Sequence, residues 1–175
     1  VRASLGRPVL FRQTRPGRDG RPFTLYKFRT MREAESSLTA IDAVATDAER
    51  LTPLGCFLRT TSIDELPQLL NVVRGDMNLV GPRPLLTEYL PLYSAYHARR
   101  HEVRPGMTGW AQVNGRNEAS WADRFDMDVW YVDNRSLTLD TRILFKTVGV
   151  ALSRRGVTTN GTASAVPFEG DSGSD

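Results

Sequence analysis

Cysteine, histidine and lysine are nearly missing from this chain of 175 residues, which holds one, two and two of them. Cys56, standing alone, excludes an internal disulfide and any cysteine-rich zinc site, and it is compatible with a reducing compartment. His97 and His101 are spaced i, i+4 and could share a metal only with a third ligand. No Glu or other donor completes such a set, and the intervening Arg99 and Arg100 oppose a cation. No run approaches the roughly 18 apolar residues that a membrane span requires, and no signal peptide precedes the first element. A Walker A sequence is also missing, which argues against a P-loop kinase. Gly106, Gly109 and Gly115 follow no strand at the spacing of a dinucleotide fingerprint.

What remains is an arginine-rich chain. Lys27 and Lys146 are the only lysines, so most cationic sites can grip phosphate or carboxylate through a planar fork. Arg plus Lys number 23 against 20 acids, giving +3 and a pI near 9.3, a mild preference for anionic surroundings. A mass of 19.6 kDa with 40% hydrophobic residues fits one domain with an ordinary core. The chain opens at Val1 rather than Met, so a preceding segment is expected, one that could hold a membrane anchor.

Read along the chain, Val9–Phe11 and Phe23–Phe28 flank a Gly/Pro-rich turn and predict a β-hairpin. Residues 34–50 are polar and read as loop or marginal helix, followed by helical Leu54–Arg59. Leu66, Leu69, Leu70 and Val73 fall at helical spacing and predict a short helix ending near Gly75. The prolines of Leu79–Pro84 predict an irregular loop. Residues 85–100 read as one amphipathic helix interrupted at Pro91, its tyrosines suited equally to a core and to a membrane interface. Loops around a short Trp110–Gln112 element come next, then helices over Trp121–Tyr131 and Asp140–Arg155. A disordered tail is expected over 171–175. The predicted class is α+β: a mainly helical single domain over residues 1–170, with a small β-hairpin and amphipathic membrane-interface helices.

The densest chemical signal is Ser62-Ile63-Asp64-Glu65-Leu66-Pro67-Gln68, with adjacent carboxylates at a helix start. In one reading Ser62 and Glu65 form a capping box and merely satisfy free N–H groups. In a second register Asp64 is the cap, and Pro67 falls in the first turn where its missing donor costs nothing. Both registers place Asp64 at the positive end of the helix, where its carboxylate should stay ionised and able to attack. Gly81-Pro82-Arg83-Pro84 stiffens the backbone around one guanidinium, a way to hold phosphate, although such a turn with a solvated arginine is commoner. Asp123, Asp126 and Asp128 lack the Gly and final Glu of a calcium loop and read as a solvated helix face.

Several segments together resemble one family. They are Phe11-Arg12-Gln13 with Arg15-Pro16-Gly17, Tyr26-Lys27-Phe28-Arg29-Thr30-Met31, the Asp64-Glu65 segment, Gly75-Asp76-Met77 and Val80-Gly81-Pro82-Arg83-Pro84. They continue with Val103-Arg104-Pro105-Gly106-Met107-Thr108-Gly109-Trp110-Ala111-Gln112-Val113-Asn114-Gly115-Arg116 and Leu139-Asp140. In this order they resemble the bacterial sugar transferases, monotopic phosphoglycosyl transferases of the bacterial membrane. The resemblance implies transfer of a sugar 1-phosphate from a UDP-sugar to a polyprenol phosphate through an aspartyl intermediate. Asp64 is then the nucleophile and a ligand of the Mg²⁺ that the family requires, and Glu65 is its partner, easing proton removal. Lys27 and Asp140 belong to the active site by position. Arg83 binds phosphate, with Arg59, Arg104 and Arg116 as further anion contacts.

The implied partners are the UDP-sugar, the polyprenol phosphate and the inner leaflet of the bacterial membrane, with no nucleic acid among them. The implied location is the cytoplasmic face of that membrane. Family members begin with a hydrophobic re-entrant helix that this chain as given lacks. Its ending, Gly156 to Gly170, resembles the smallest subgroup, whose donors are often N-acetylated UDP-sugars. Two rival classes stay open: a non-catalytic membrane-surface scaffold whose dyad only caps a helix, and a metal-dependent phosphohydrolase.

Overall fold

The computed structural model describes residues 1–32, 50–115, 119–153, 168 and 170. The polar stretch, apart from Arg50, and both the helix end at Arg154–Arg155 and the tail expected after residue 170 lie outside them. After a single helical turn, α1 (Arg2–Leu5), come the strands β1 (Leu10–Pro16) and β2 (Pro22–Phe28). They form the predicted antiparallel hairpin, paired from Leu10↔Phe28 to Pro16↔Pro22. The turn is tighter than the sequence suggested: Arg15 and Pro16 belong to the ladder, and Asp19 and Gly20 adopt left-handed φ of 56° and 71° to close it.

Helix α2 (Pro53–Thr60) starts as its residues dictate. Pro53 occupies the first helical position, and the Thr52 side chain accepts from the Gly55 N–H at 3.0 Å. A 3₁₀ segment, Ile63–Gln68, then runs into α3 (Leu69–Arg74), which Gly75 ends at a left-handed φ of 80°. The apolar positions of this helix do not face the core. Leu66, Leu69, Leu70 and Val73 are 50%, 43%, 49% and 86% exposed, while the inward position belongs to Asn71, with 0% exposure. Periodicity located the helix and did not reveal which side is buried.

Two further expectations are corrected by long-range pairing. Asn78–Val80 (β3) and Gly106–Thr108 (β4) are parallel strands where only loops were predicted. The approach is so close that a Cβ on Gly106 would lie 2.1 Å from the Gly81 nitrogen, and one on Gly109 would lie 2.2 Å from the Gly81 carbonyl oxygen. Glycine marks backbone contact here, and three-residue strands are too short to leave an alternating pattern. Residues 85–100 do not form one helix either. A 3₁₀ segment over Thr87–Leu92 contains Pro91 and stops, and Ser94 then caps α4 (Ala95–Ala98), its hydroxyl accepting from the His97 N–H at 3.2 Å.

The remaining helices are α5 (Trp110–Asn114), α6 (Trp121–Asn134) and α7 (Leu137–Ser153). A Ser120–Asp123 capping box starts α6, which occupies Asp123. Val80, Tyr131 and Ile143 form the core where β3, α6 and α7 meet, with Trp110, Val113 and Leu139 packed around it. Tyr89 and Tyr93 join a second, aromatic cluster: Tyr93 meets Phe125 edge-on at 5.1 Å, and Phe125 meets Phe168 at 4.9 Å. Those tyrosines are half-buried against this cluster, whereas Tyr96 is 50% exposed. No helix among the described residues is long and apolar enough to cross a membrane.

Asp128 departs most from its expected solvated face. It is 4% exposed and receives Nε and Nη2 of the equally buried Arg100 at 3.0 and 2.7 Å. Arg100 also lies over the Tyr93 and Phe125 rings and donates from Nη2 to the Arg83 carbonyl at 2.8 Å. Asp128→Ala strands a buried guanidinium, so equilibrium urea denaturation is expected to show a loss of about 3–5 kcal/mol. Replacing both partners together by apolar residues should cost less than that single change. A loss under about 1 kcal/mol for Asp128→Ala would show that the pair adds little to the fold.

Candidate active site

Asp64 and Glu65 follow one another in the first turn of the 3₁₀ segment and part company chemically. Ser62 takes a left-handed φ of 56° and makes no side-chain capping bond, and Asp64 itself is inside the helical segment, so neither capping register forms. Glu65 Oε1 instead accepts from Lys27 Nζ and from Arg83 Nη2, each at 2.8 Å. Two cations on one oxygen make a charge-assisted knot. Burial opposes the Glu65 charge, but Arg83 and then Lys27 outweigh it and hold the carboxyl down at about 2. Lys27 is shifted down, first by burial and then by Arg83, while Arg83 is shifted up, chiefly by Glu65.

Asp64 is 9% exposed and makes no hydrogen bond or ion pair with the described residues. Burial first, and the Glu65 charge second, raise its pKa against the pull of Lys27, Arg59 and Arg83. Its position at a helix start therefore does not dominate its ionisation. One carboxylate is fixed and fully charged, and its neighbour is unengaged and easier to protonate than an ordinary aspartate. This division of environments between adjacent acids gives them different chemical capacities.

The positions of the cations follow from packing. Asn71 clamps α3 to the hairpin: its Nδ2 donates to the Thr24 carbonyl at 2.7 Å, and its Oδ1 accepts from the Tyr26 N–H at 3.3 Å. That sets Lys27, the next residue on β2, over Glu65. Arg59 reaches from α2 to donate from Nε to the Thr30 hydroxyl at 3.0 Å. Arg83 is placed from behind through its carbonyl by Arg100. Asn71, Arg100 and Asp128 were not read as site-building residues. An asparagine inside an apolar Leu-Leu-Asn-Val-Val run is the one local signal that points to such a role, since a buried amide needs partners.

Asp140 and Arg104 lie apart from this cluster. Asp140, near the start of α7, accepts from the Tyr131 hydroxyl at 2.7 Å. With Arg104, Arg135, Ser136 and Asn78 it lines a separate cavity of about 220 Å³. Val80 also lines that cavity and is three residues before Arg83, so β3 runs between the two places. Burial and Asp140 both push the Tyr131 phenol up, so it remains a hydrogen-bond donor. Arg116 lies outside the described residues. His97 and His101 do not form a metal pair: His97 Nε2 is 3.0 Å from Asp126 Oδ1, and His101 packs on Tyr93. No group of three or more His, Cys, Asp or Glu able to hold a metal occurs among the described residues.

Glu65 gives a pH prediction whose sign follows from its depressed value. Its contribution to stability is present above the ordinary carboxyl value of 4.5 and is lost as pH falls through about 2. The full contribution is roughly 3 kcal/mol at neutral pH. Asp64, shifted the other way, offsets part of that loss because its protonation favours the native state. Unfolding free energy measured between pH 5 and pH 2 should therefore fall less steeply in Glu65→Gln than in the wild type. Equal slopes would show that the knot does not shift Glu65.

Sequence comparison fits this arrangement. The family model for bacterial sugar transferases matches residues 1–154. The chain is 55% identical to the uncharacterized sugar transferase EpsL of Bacillus subtilis over 170 residues, which cover 97% of this chain and 83% of that protein. It is 43% identical to the UDP-glucose:undecaprenyl-phosphate glucose-1-phosphate transferase of Escherichia coli, covering 85% of this chain and 33% of that protein. It is 42% identical to the undecaprenyl-phosphate galactose phosphotransferase of Salmonella typhimurium, with 86% and 35% covered. The chain thus spans most of EpsL and about a third of the two longer enzymes. With a family model covering most of its length and relatives well above 30% identity, the chain belongs to the bacterial sugar transferase family.

Proposed function

We propose that this protein transfers a sugar 1-phosphate from a UDP-sugar to a polyprenol phosphate, with Asp64 as nucleophile. The observation that carries the reading is the contrast within the dyad: among the described residues Asp64 makes no hydrogen bond or ion pair, while Glu65 beside it holds Lys27 and Arg83. In the first step an Asp64 carboxylate oxygen attacks the phosphorus that carries the sugar. The bond from that phosphorus to UMP breaks, UMP leaves, and an acyl phosphate retains the sugar. In the second, a polyprenyl phosphate oxygen attacks the same phosphorus and frees the Asp64 carboxylate. The product is a polyprenyl diphosphate sugar.

Glu65, held at about 2, is a weak proton acceptor at neutral pH. Its contribution in this reading is to hold two cations where charge builds on the phosphoryl oxygens. Arg83 and Lys27 then face the transferred phosphate, with Arg59 near Asp64. Asp140 and Arg104 serve the donor from the neighbouring cavity. Mg²⁺ commonly binds through one or two carboxylates plus substrate phosphates, and the unengaged oxygens of Asp64 fit that donor set. Bound there, the ion would neutralise charge on the phosphoryl oxygens.

Exposed Phe57, Leu66, Leu69, Leu70 and Val73 leave an apolar surface on α2, α3 and the turn between them. We assign it to the cytoplasmic leaflet of the bacterial membrane, where the polyprenol carrier resides. The test is incubation of the protein with Mg²⁺ and a panel of UDP-sugars. One UMP released per protein, with a mass gain of one phosphosugar, is expected, and added polyprenyl phosphate should restore turnover. Continuous UMP release without acceptor would point to a hydrolase, and no release at all to a scaffold. The donor that reacts identifies the sugar.

A further inference from the structure

The hairpin carries a cation that this reading leaves without a role. Cross-strand partners of an antiparallel pair project to the same face. In the observed register Phe11 faces Lys27, Gln13 faces Leu25 and Arg15 faces Phe23, so Arg15 shares the face on which Lys27 meets Glu65. A second connection closes around the same place. The turn just beyond β1, Arg18–Gly20, packs against Arg99–His101, and Arg100 there holds the Arg83 carbonyl at 2.8 Å. Arg15 therefore lies within a ring whose other members are Lys27, Glu65, Arg83 and Arg100.

Charge within the ring is not balanced by the protein. Arg15 is partly buried, and its one hydrogen bond with the described residues runs from Nη2 to the neutral Gln13 Oε1 at 2.6 Å; its Nε is buried without a partner. Among the described residues no carboxylate forms an ion pair with it. Burial and then the Arg83 charge both disfavour its ionisation, and the nearest acid influence is Glu88, which is exposed. Lys27, Arg59, Arg83 and Arg15 set four positive charges against Asp64, Glu65 and that solvated Glu88. Arg15, with no carboxylate paired to it among the described residues, feels the charge of the Glu65-bound Arg83, and such a surplus of guanidinium charge makes a place for a multiply charged anion.

The geometry points to Arg15 as a further phosphate-binding residue, clasping with Arg83 a phosphate group of the donor diphosphate or of the carrier. The inference rests on the transfer reading only for the identity of that phosphate. Arg15 is a binding group that neutralises the excess negative charge of the phosphates, and its neighbour Gln13 holds the guanidinium in orientation.

Inorganic pyrophosphate is the direct probe, titrated calorimetrically into wild type, Arg15→Gln and Arg15→Lys. Arg15→Gln is expected to weaken binding at least tenfold and Arg15→Lys by less, with melting temperatures near the wild-type value. Arg12→Gln is the control, because Arg12 pairs with Tyr26 on the opposite hairpin face; its affinity should stay within twofold. Equal affinities in wild type and Arg15→Gln, an equal loss in Arg12→Gln, or no binding by wild type would overturn the proposal. Steady-state kinetics identify the source of the phosphate: a tenfold rise in KM for the UDP-sugar marks the donor, and one for polyprenyl phosphate marks the carrier. No rise in either would remove Arg15 from the reaction. A wild type that binds pyrophosphate through Arg15 yet releases no UMP would leave the anion site standing and end the transfer reading.

Discussion

Asp64→Asn is expected to abolish the phosphosugar adduct and to lower UMP release by at least ~10³-fold, as loss of a covalent nucleophile does. The amide keeps the shape of the side chain and removes the attacking anion. The fold should tolerate the change for a reason visible in the native site. Asp64 makes no hydrogen bond or ion pair with the described residues, and burial and the neighbouring Glu65 already disfavour its charge. A melting temperature at or slightly above that of the wild type is therefore expected alongside the loss of activity. Intact-protein mass spectrometry after incubation with donor is the measurement. An undiminished adduct in this variant would move the nucleophile elsewhere.

Glu65→Gln should produce the second-largest loss, ~10²–10³-fold in kcat/KM, comparable to losing one preorganised group that stabilises transition-state charge. Gln can accept one hydrogen bond from Lys27 or Arg83, but it cannot neutralise them. Without the anion both cations repel each other, and the side chain of Arg83, 44% exposed, is free to swing into solvent. The variant should still form some adduct, because Asp64 remains, and the rate of its appearance should fall more than its final yield. A wild-type rate would show that Lys27 and Arg83 keep their places without Glu65.

Part of this candidate site was legible because each of its motifs is contiguous in the chain. The Asp64-Glu65 pair, the proline-braced Arg83 and the hairpin bearing Lys27 could all be named from local pattern. The capping interpretations failed because Ser62 turns left-handed and Glu65 finds two cations better placed than backbone N–H groups. The apolar stripe of Leu66, Leu69, Leu70 and Val73 identified a helix but not its environment, since periodicity records which residues share a face and not what covers it. The aspartates of α6 looked alike in sequence. Only packing distinguishes Asp123 in a capping box, Asp126 against His97 and Asp128 buried on Arg100.

Local rules were sufficient for the hairpin, for a helix over Leu54–Arg59 and for the stop of α3 at Gly75, because each depends on a few neighbouring backbone torsions. Which cation meets which acid was beyond them. Lys27 reaches Glu65 across 38 positions of chain and Arg83 reaches it across 18, while Asn71 and Arg100 hold those partners in place through contacts 47 and 17 positions apart. Such contacts exist only once separate elements have packed. The candidate reacting groups can thus be nominated from short motifs, and their charges and positions are a property of the assembled molecule.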